Sequence, residues 1–385
     1  MKILVLNYEY PPLGGGAGNI SRHIANNLSE SGHEVLVVTT WFEGLPEKEI
    51  SHDRVEIIRL KCNRKFMHKS SPFEMISWMK HAKIFLAEYL LQNNFDICLA
   101  NFSIPGGVVA RKMKKIFDLP YCLISHGHDI PWYYKRQMFF YHLFTYFKIK
   151  SVCKNSSVNF IQTEFMKKNI DKFLGKKLSH KNIIIPNGVS VVKQNGKIIK
   201  NQPFTLLFVG RFVEQKDPIT LLKALKKLSK MDIPFQTYMV GDGPMMKKIE
   251  KFIKANHLKN IHFTGWIPQE EVFEYYNKSH VIITPSRAEG MSIANLEALA
   301  SGVFLIATDV SGNKEMLESN KNGILVDPGN FSEIANLLQK FYFEQYLPNK
   351  FQARNIAENF GVQNSWSAIS KKYAEIFERI LSEKM

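Results

Sequence analysis

The chain has 385 residues, 45% of them hydrophobic and 22% charged, a globular composition long enough for two domains and not that of a disordered chain. Its formal charge of +16 calls for an anionic partner, whether nucleic acid, anionic lipid or a phosphorylated substrate. No apolar run reaches the ~18 residues needed to span a bilayer, and the first seven residues turn polar too soon for a secretory signal, so a cytosolic protein is expected. Cys62, Cys98, Cys122 and Cys153 lie far apart without a CxxC pair or a disulfide framework, in keeping with a reducing compartment.

In chain order, Ile3, Leu4, Val5 and Leu6 read as a fully buried strand. The loop Pro11-Pro12-Leu13-Gly14-Gly15-Gly16-Ala17-Gly18 then leads into a helix with Ile20, Ile24 and Leu28 spaced by four, stopping at Gly32. Residues 35–39 read as the next strand and complete a strand-loop-helix-strand unit of the kind that builds parallel sheets. The glycine loop has neither the GxGxxG spacing of a dinucleotide fingerprint nor the Gly-Lys-Ser/Thr ending of a P-loop. Without side chains at Gly15 and Gly16 a partner can approach the backbone closely; a flexible turn is the other reading.

Further buried strands are expected at residues 55–58, 95–100, 121–124 and 157–161. The strand at 121–124 runs into Ser125-His126-Gly127-His128-Asp129, which puts imidazoles where open parallel sheets bind their ligands. No third metal ligand follows at a suitable spacing, so His126 is read as a polar substrate contact, against a loop histidine bonded to backbone. From residue 132 to 150 aromatic side chains such as Trp132, Phe140, Phe144 and Phe147 interleave with Lys135, Arg136, Lys148 and Lys150. Basic and apolar residues recur at Arg64-Lys65-Phe66-Met67 and from Lys167 to Lys177, so an anionic membrane surface is an expected partner of the first domain. The opposing reading is a core helix with a basic solvated edge. No nucleic-acid module is recognisable, and nucleic acid is not an expected partner.

Residues 183–189 form a strand ending in a turn, and 191–202 is the best linker in the chain. A second series follows, with strands at 204–209, 235–240, 262–265, 281–284 and 303–308 and a helix from about Pro218 to Lys230. Arg211 and Lys216 sit just past the first of these strands, two cations able to neutralise a diphosphate without a metal. After the strand at 281–284, Glu289 precedes a helix that contains Glu297. Backbone amides at Met291, Ser292 and Ile293 are expected at the helix start, a ready anion site. Glu297 is placed about two turns in, so the two carboxylates grip opposite ends of an extended ligand at a separation of at most roughly 12 Å, an upper limit because Glu289 precedes the helix. A solvated Glu289 at a helix start and an ordinary exposed Glu297 is the alternative. The expected division is a first domain over 1–190, the linker 191–202, a second domain over 203–363 and an amphipathic terminal helix over 364–385.

Taken together these residues resemble glycosyltransferase family four. The resemblance spans nearly the whole chain. It rests on the glycine loop, His126-Gly127, Pro186-Asn187-Gly188-Val189, Val209-Gly210-Arg211 with Lys216, Gly241-Asp242-Gly243-Pro244, Glu289 with Glu297, Gly312 before Glu315, and Asn322-Gly323-Ile324-Leu325-Val326. It implies an α/β protein of GT-B architecture, two Rossmann-like doubly wound domains facing a central cleft, with the terminal helix packing back on the first domain. It implies a retaining transferase that moves a sugar from a nucleoside-diphosphate sugar to a hydroxyl of a glycan or lipid-linked acceptor in polysaccharide or glycolipid synthesis. Catalytic roles are then expected for Arg211, Lys216, His126 and Glu289, and donor binding for Gly15, Gly16, Gly210, Arg211, Lys216, Gly290, Met291, Ser292 and Glu297. No cofactor and no metal are expected, in line with the absence of any Asp-x-Asp in the chain. The sequence departs from the family pattern at Met291, where many members carry Phe, and at Ser190, where Asp is common. A sugar-nucleotide epimerase on the same fold and a non-catalytic sugar-nucleotide-binding protein are the competing readings, and the expected location is cytoplasmic, with attachment to the inner membrane face.

Overall fold

The computed structural model describes residues 1–51, 54–67, 70–131, 138–190, 203–317, 322–344 and 360–383. The linker expected at 191–202, and the stretch from Trp132 to Gln137, lie outside the described residues. Contacts divide the chain into two compact units, Met1–Gly188 with Trp366–Met385, and Val189–Ser365.

The first unit begins with β1 (Lys2–Leu6), α1 (Gly16–Glu30), β2 (Glu34–Thr40), β3 (Lys48–Ile50), β4 (Glu56–Leu60) and α2 (Pro72–Tyr89). It continues through β5 (Ile97–Asn101), α3 (Val108–Phe117), β6 (Tyr121–Ile124), α4 (Phe139–Asn155), β7 (Asn159–Ile161), α5 (Glu164–Leu174) and β8 (Asn182–Ile184). The eight strands form one sheet in the order β3-β4-β2-β1-β5-β6-β7-β8. All pairings are parallel except that of β3 with β4. β3 is a short edge strand whose Lys48, Glu49 and Ile50 have no apolar alternation, which is why the hydrophobic pattern did not reveal it. Successive residues of each strand face opposite sides. Leu4, Leu6 and Ile161 join the core under α2, α3, α4 and α5. Phe160 faces the other way, its ring 4.7 Å from that of Tyr373 and 6.2 Å from that of Phe377 on the terminal helix Trp366–Ser382. The terminal helix packs along α1, with the Trp366 ring stacked 4.8 Å from His23. The last helix of the chain therefore supplies core to the first unit.

The second unit comprises β9 (Phe204–Val209), α6 (Pro218–Leu228), β10 (Phe235–Val240), α7 (Met246–Ala255), β11 (Ile261–Gly265), α8 (Gln269–Lys278) and β12 (Val281–Thr284). It continues with α9 (Ile293–Ala300), β13 (Phe304–Thr308), α10 (Ser311–Met316), β14 (Gly323–Val326) and α11 (Phe331–Glu344). Its six strands run in the order β11-β10-β9-β12-β13-β14, every pairing parallel. Leu206, Phe208, Ile283 and Ile306 pack under α6, α7 and α11. Their neighbours Leu207, Ile282, Leu305 and Ala307 pack under α8 and α9. A parallel sheet covered on both faces needs such unbroken apolar strands. Sequence order reverses between β1 and β5 in one sheet and between β9 and β12 in the other, and loops at such reversals open the crevices in which α/β sheets bind ligands.

Because Phe377 is fully buried against Phe160, Phe377→Ala is expected to destabilise the first unit by about 3–5 kcal/mol. Urea unfolding followed by tryptophan fluorescence measures this, and an unchanged midpoint would show that the terminal helix contributes no core.

Candidate functional site

In the second unit the loops after β9 and β12 flank the strand-order reversal. The β9 loop opens at Gly210, whose φ of +151° is one that glycine adopts readily. Against it lies the turn after β10. A Cβ at Gly241 would fall 2.2 Å from the Gly210 carbonyl oxygen, so the two backbones touch only because that residue is glycine. Arg211, the next residue of the β9 loop, is exposed. The loop then turns back into α6, where Asp217 caps the helix by accepting from the Thr220 amide, with Pro218 at the first helical position.

Lys216 reaches across to the β12 loop, its Nζ 2.6 Å from Glu289 Oε1. Ser286 Oγ donates to the same oxygen at 2.6 Å. Both side chains are largely buried, at 19% exposure for Lys216 and 6% for Glu289. Three more bonds lace the loops together. The Arg287 amide donates to the Gln215 carbonyl at 2.7 Å, Gln215 Nε2 to the Ala288 carbonyl at 3.0 Å, and Arg287 Nε to Asp217 Oδ2 at 2.9 Å. From the third side Ser311 Oγ donates to the Glu289 carbonyl. A Cβ at Gly312 would lie 1.5 Å from the Gly290 oxygen, so only glycine allows this contact. Beneath the loops, Thr284, Asn295 and Asn313 form a buried chain of hydrogen bonds, with Thr308 Oγ1 donating to the Ser286 carbonyl at 2.5 Å. Each bond satisfies a polar group that burial would otherwise leave costly.

The helix after Glu289 begins later than the sequence suggests. Ser292 is its N-cap residue and Ile293 its first helical residue, so the amides free of intrahelical partners are centred on Ile293, Ala294 and Asn295. Met291 and Gly290 belong to the preceding loop. Glu297 is then about 6 Å along the axis, little more than one turn in and not two. The solvated alternative fails for both carboxylates, since Glu289 and Glu297 are each 4% exposed. Glu297 accepts from Tyr276 Oη at 3.0 Å and from Gln269 Nε2. Burial pushes its pKa up to about 7, against the pull of those two donors, with Glu270 adding to the rise.

In the first unit, β6 ends in Ser125 and His126. Asp129, 3% exposed, collects four donors: the Ser103 amide at 2.9 Å, Ser103 Oγ at 3.2 Å, Ser125 Oγ at 2.6 Å and the His126 amide at 3.0 Å. His126 Nε2 lies 3.0 Å from Oδ1 of Asn101, at the end of β5, while Asn101 Nδ2 donates to the Leu6 carbonyl at 3.4 Å. That arrangement places the imidazole proton on Nε2. Phe102 covers the ring at 4.7 Å between centroids. Burial pushes the His126 pKa down to about 4 although Asp129 opposes it, so the ring is neutral at pH 7. The His128 backbone carbonyl lies 3.0 Å from His142 Nε2. In the glycine loop, Gly14 has a φ of +88° and donates its amide to the Met67 carbonyl at 2.8 Å. Gly15 is the N-cap residue of α1, and nothing lies within 4 Å of where its Cβ would stand. Gly16 opens that helix.

The structure thus brings Lys216 and Glu289 into direct contact, with Gly210 and Arg211 on one of the joined loops and Gly290, Met291 and Ser292 on the other. His126, Gly15 and Gly16 belong to strand ends of the first unit. Sequence reasoning missed Gln215, Asp217, Ser286, Arg287 and Ser311, which lace the loops, and Gln269 and Tyr276, which hold Glu297. Only Asp217 carried a local signal, as an Asp-Pro pair at a helix start.

Two family models match the chain: "Glycosyltransferase Family 4" over residues 14–193 and "Glycosyl transferases group 1" over residues 192–358. An uncharacterized glycosyltransferase of Methanocaldococcus jannaschii is 26% identical over 391 residues, covering 99% of each chain. Among solved structures, a sucrose-phosphate synthase from Thermosynechococcus elongatus superposes with a TM-score of 0.83 at 17% identity, over 99% of both chains. The HepE protein of Anabaena, solved in complex with UDP-glucose, gives 0.74 at 18% identity over 98% of this chain and 100% of that one. At these identities the two structures speak to the fold.

Because the folded state holds the Glu297 proton more tightly than the unfolded chain does, the stability from this group is full below about pH 4.5 and is lost as pH rises through about 7. Glu297→Gln keeps the shape of the protonated side chain and cannot ionise. Melting curves should show this variant gaining on the parent between those two pH values and holding a constant advantage above about pH 8. A difference independent of pH would show that Glu297 ionises normally.

Proposed function

The chain belongs to the family-four glycosyltransferases, with the GT-B fold of two Rossmann-like domains, and from that premise we propose that it moves a sugar from a nucleoside-diphosphate sugar to a hydroxyl of a glycan or lipid-linked acceptor in polysaccharide or glycolipid synthesis. The observation that carries this reading is the Lys216–Glu289 pair at the β9/β12 reversal, with Arg211 exposed on the same loop. A largely buried ammonium and an exposed guanidinium on one loop, tied to the loop that leads into a helix start, are the kinds of group that bind a diphosphate.

In this reading Arg211 and Lys216 take up the charge that grows on the leaving diphosphate as the anomeric bond breaks. The amides at the start of α9, reached past Gly290, Met291 and Ser292, add the positive end of a helix dipole. Glu297, already gripped by Tyr276 and Gln269, has its remaining acceptor capacity for the ribose hydroxyls. Glu289 and His126 contact the transferring sugar. The neutral His126 ring, its Nε2 proton directed to Asn101, offers Nδ1 as an acceptor for a sugar hydroxyl. Gly15 and Gly16 contribute open backbone at the start of α1, where a phosphate or an acceptor can approach without meeting a side chain. The acceptor oxygen bonds to the anomeric carbon as the bond from that carbon to the diphosphate oxygen breaks, and the hydroxyl proton passes to the departing diphosphate. Retention of configuration follows the family. The reading needs no cofactor and assigns the work of a metal to Arg211 and Lys216.

Incubation with a panel of nucleoside-diphosphate sugars and glycan or lipid acceptors tests it through the release of nucleoside diphosphate. Arg211→Ala is expected to lower kcat/KM by about 10²–10³ with the melting temperature unchanged, since the side chain is exposed. No release with any donor would refute transfer from such donors, and full activity of the variant would remove Arg211 from the mechanism.

A further inference from the structure

Helix α4 is apolar on two opposite sides. His142, Ile149, Val152 and Cys153 are buried. Phe139, Phe140, Leu143, Phe144 and Phe147 are exposed, Phe144 by 84% and Phe147 by 83%. At about 100° per residue these five form a stripe facing away from the buried set. Helix α2, which covers the same face of the sheet, repeats the arrangement: Trp78, Ala82 and Leu86 are buried while Phe73, Ile76 and Ile84 are exposed. A folded protein seldom leaves so many large apolar side chains together in water unless something covers them.

The charge of this layer indicates what does. Helices α3 and α4 contain no carboxylate. Lys112, Lys115 and Lys148 are exposed. The pKa of Lys83 on α2 is lowered by burial and then by Lys148 and Lys112, so ammonium groups from three helices lie within electrostatic reach of one another. In the basic run further along the chain, Lys167 is paired with Asp171 at 2.6 Å. A second copy docked on this face about a twofold axis would set like charges against like. Among the described residues no helix is long and apolar enough to cross a membrane.

We propose that the outer face of α2, α3 and α4 rests on an anionic lipid bilayer, with the phenylalanines of α4 entering the acyl boundary and the lysines around them meeting headgroup phosphates. The proposal does not depend on which donor or acceptor the protein uses. It places the first unit at the membrane by one helical layer, and it narrows the basic regions seen in the sequence to the one that carries an uncovered apolar stripe.

The test is flotation of the full chain with vesicles of phosphatidylcholine alone and of phosphatidylcholine mixed with phosphatidylglycerol. Binding is expected to the mixed vesicles only, and to fall as salt rises from ~0.1 M to ~1 M. Phe144→Ser combined with Phe147→Ser should weaken it at least about tenfold. Lys112→Glu and Lys148→Glu should each weaken it about fivefold or more. All these side chains are exposed, so unchanged melting temperatures establish that the variants fold. Equal binding to neutral vesicles, no binding to either, or binding indifferent to the phenylalanine pair would overturn the proposal. A dimer that forms without lipid and is lost in the phenylalanine variant would overturn it in favour of a second copy as the occupant.

Discussion

The ion pair between Lys216 and Glu289 is the constraint on which the second unit's strand-end loops depend. Two charges this far from water are costly, and an attraction at 2.6 Å offsets that cost only if the remaining polar atoms are also satisfied. The loops meet that condition. Ser286 adds a second donor to the same carboxylate oxygen, while Gln215, Arg287 and Asp217 bind one loop to the other without involving the pair. The glycines complete the arrangement by letting neighbouring backbones press against the loops from outside. An arrangement tied at so many points is pre-organised, and a site built to stabilise charge in a transition state gains most when its charges need not move to meet it. On the proposed reading, a diphosphate arriving beside Arg211 competes with Glu289 for the Lys216 ammonium, and Glu289 becomes available to the sugar. The pair would then hold the cation in place between turnovers.

The two units handle buried polar groups in different ways. In the first, Asp129 is a collector of donors that fixes the Ser125-His126 turn, and His126 itself stays neutral because burial outweighs the nearby carboxylate. In the second, Glu297 is pushed toward neutrality by burial but keeps two donors that favour its charged form. A histidine that stays unprotonated and a carboxyl poised near neutrality suit different tasks: the first can accept from a hydroxyl at any physiological pH, the second binds hydroxyls best once ionised.

Much of the fold was legible in the sequence because parallel strands buried on both faces write themselves as short apolar runs. Those at 121–124, 204–209, 235–240 and 281–284 coincide with strands of the structure. The strand Lys48–Ile50 was not legible, since an edge strand made of Lys, Glu and Ile carries no alternation. Helix starts were less clear than strands: nothing local marked Ile293 as the first helical residue, and moving the free amides from Met291–Ile293 to Ile293–Asn295 shifts the anion site by about 3 Å, little more than half a turn. Within the candidate site, the family pattern pointed to charged residues one at a time. It did not reveal that Lys216 and Glu289, 73 positions apart, share a hydrogen bond, because that contact follows from the strand order of the folded sheet. The partners Tyr276 and Gln269 were invisible for the same reason. The aromatic helix α4 was ambiguous in sequence because both of its sides are apolar, and only burial separates the core side from the exposed one.

The most direct measurement of the central claim is calorimetric titration of nucleoside diphosphate into the parent protein, Lys216→Ala, Glu289→Gln and the double variant. If Lys216 is the diphosphate cation held in reserve by Glu289, Lys216→Ala should weaken binding by about tenfold or more. Glu289→Gln should leave it equal or tighter, and the two effects should fail to add. Equal affinities for all four proteins would contradict the account and reduce the pair to a structural bridge between two loops.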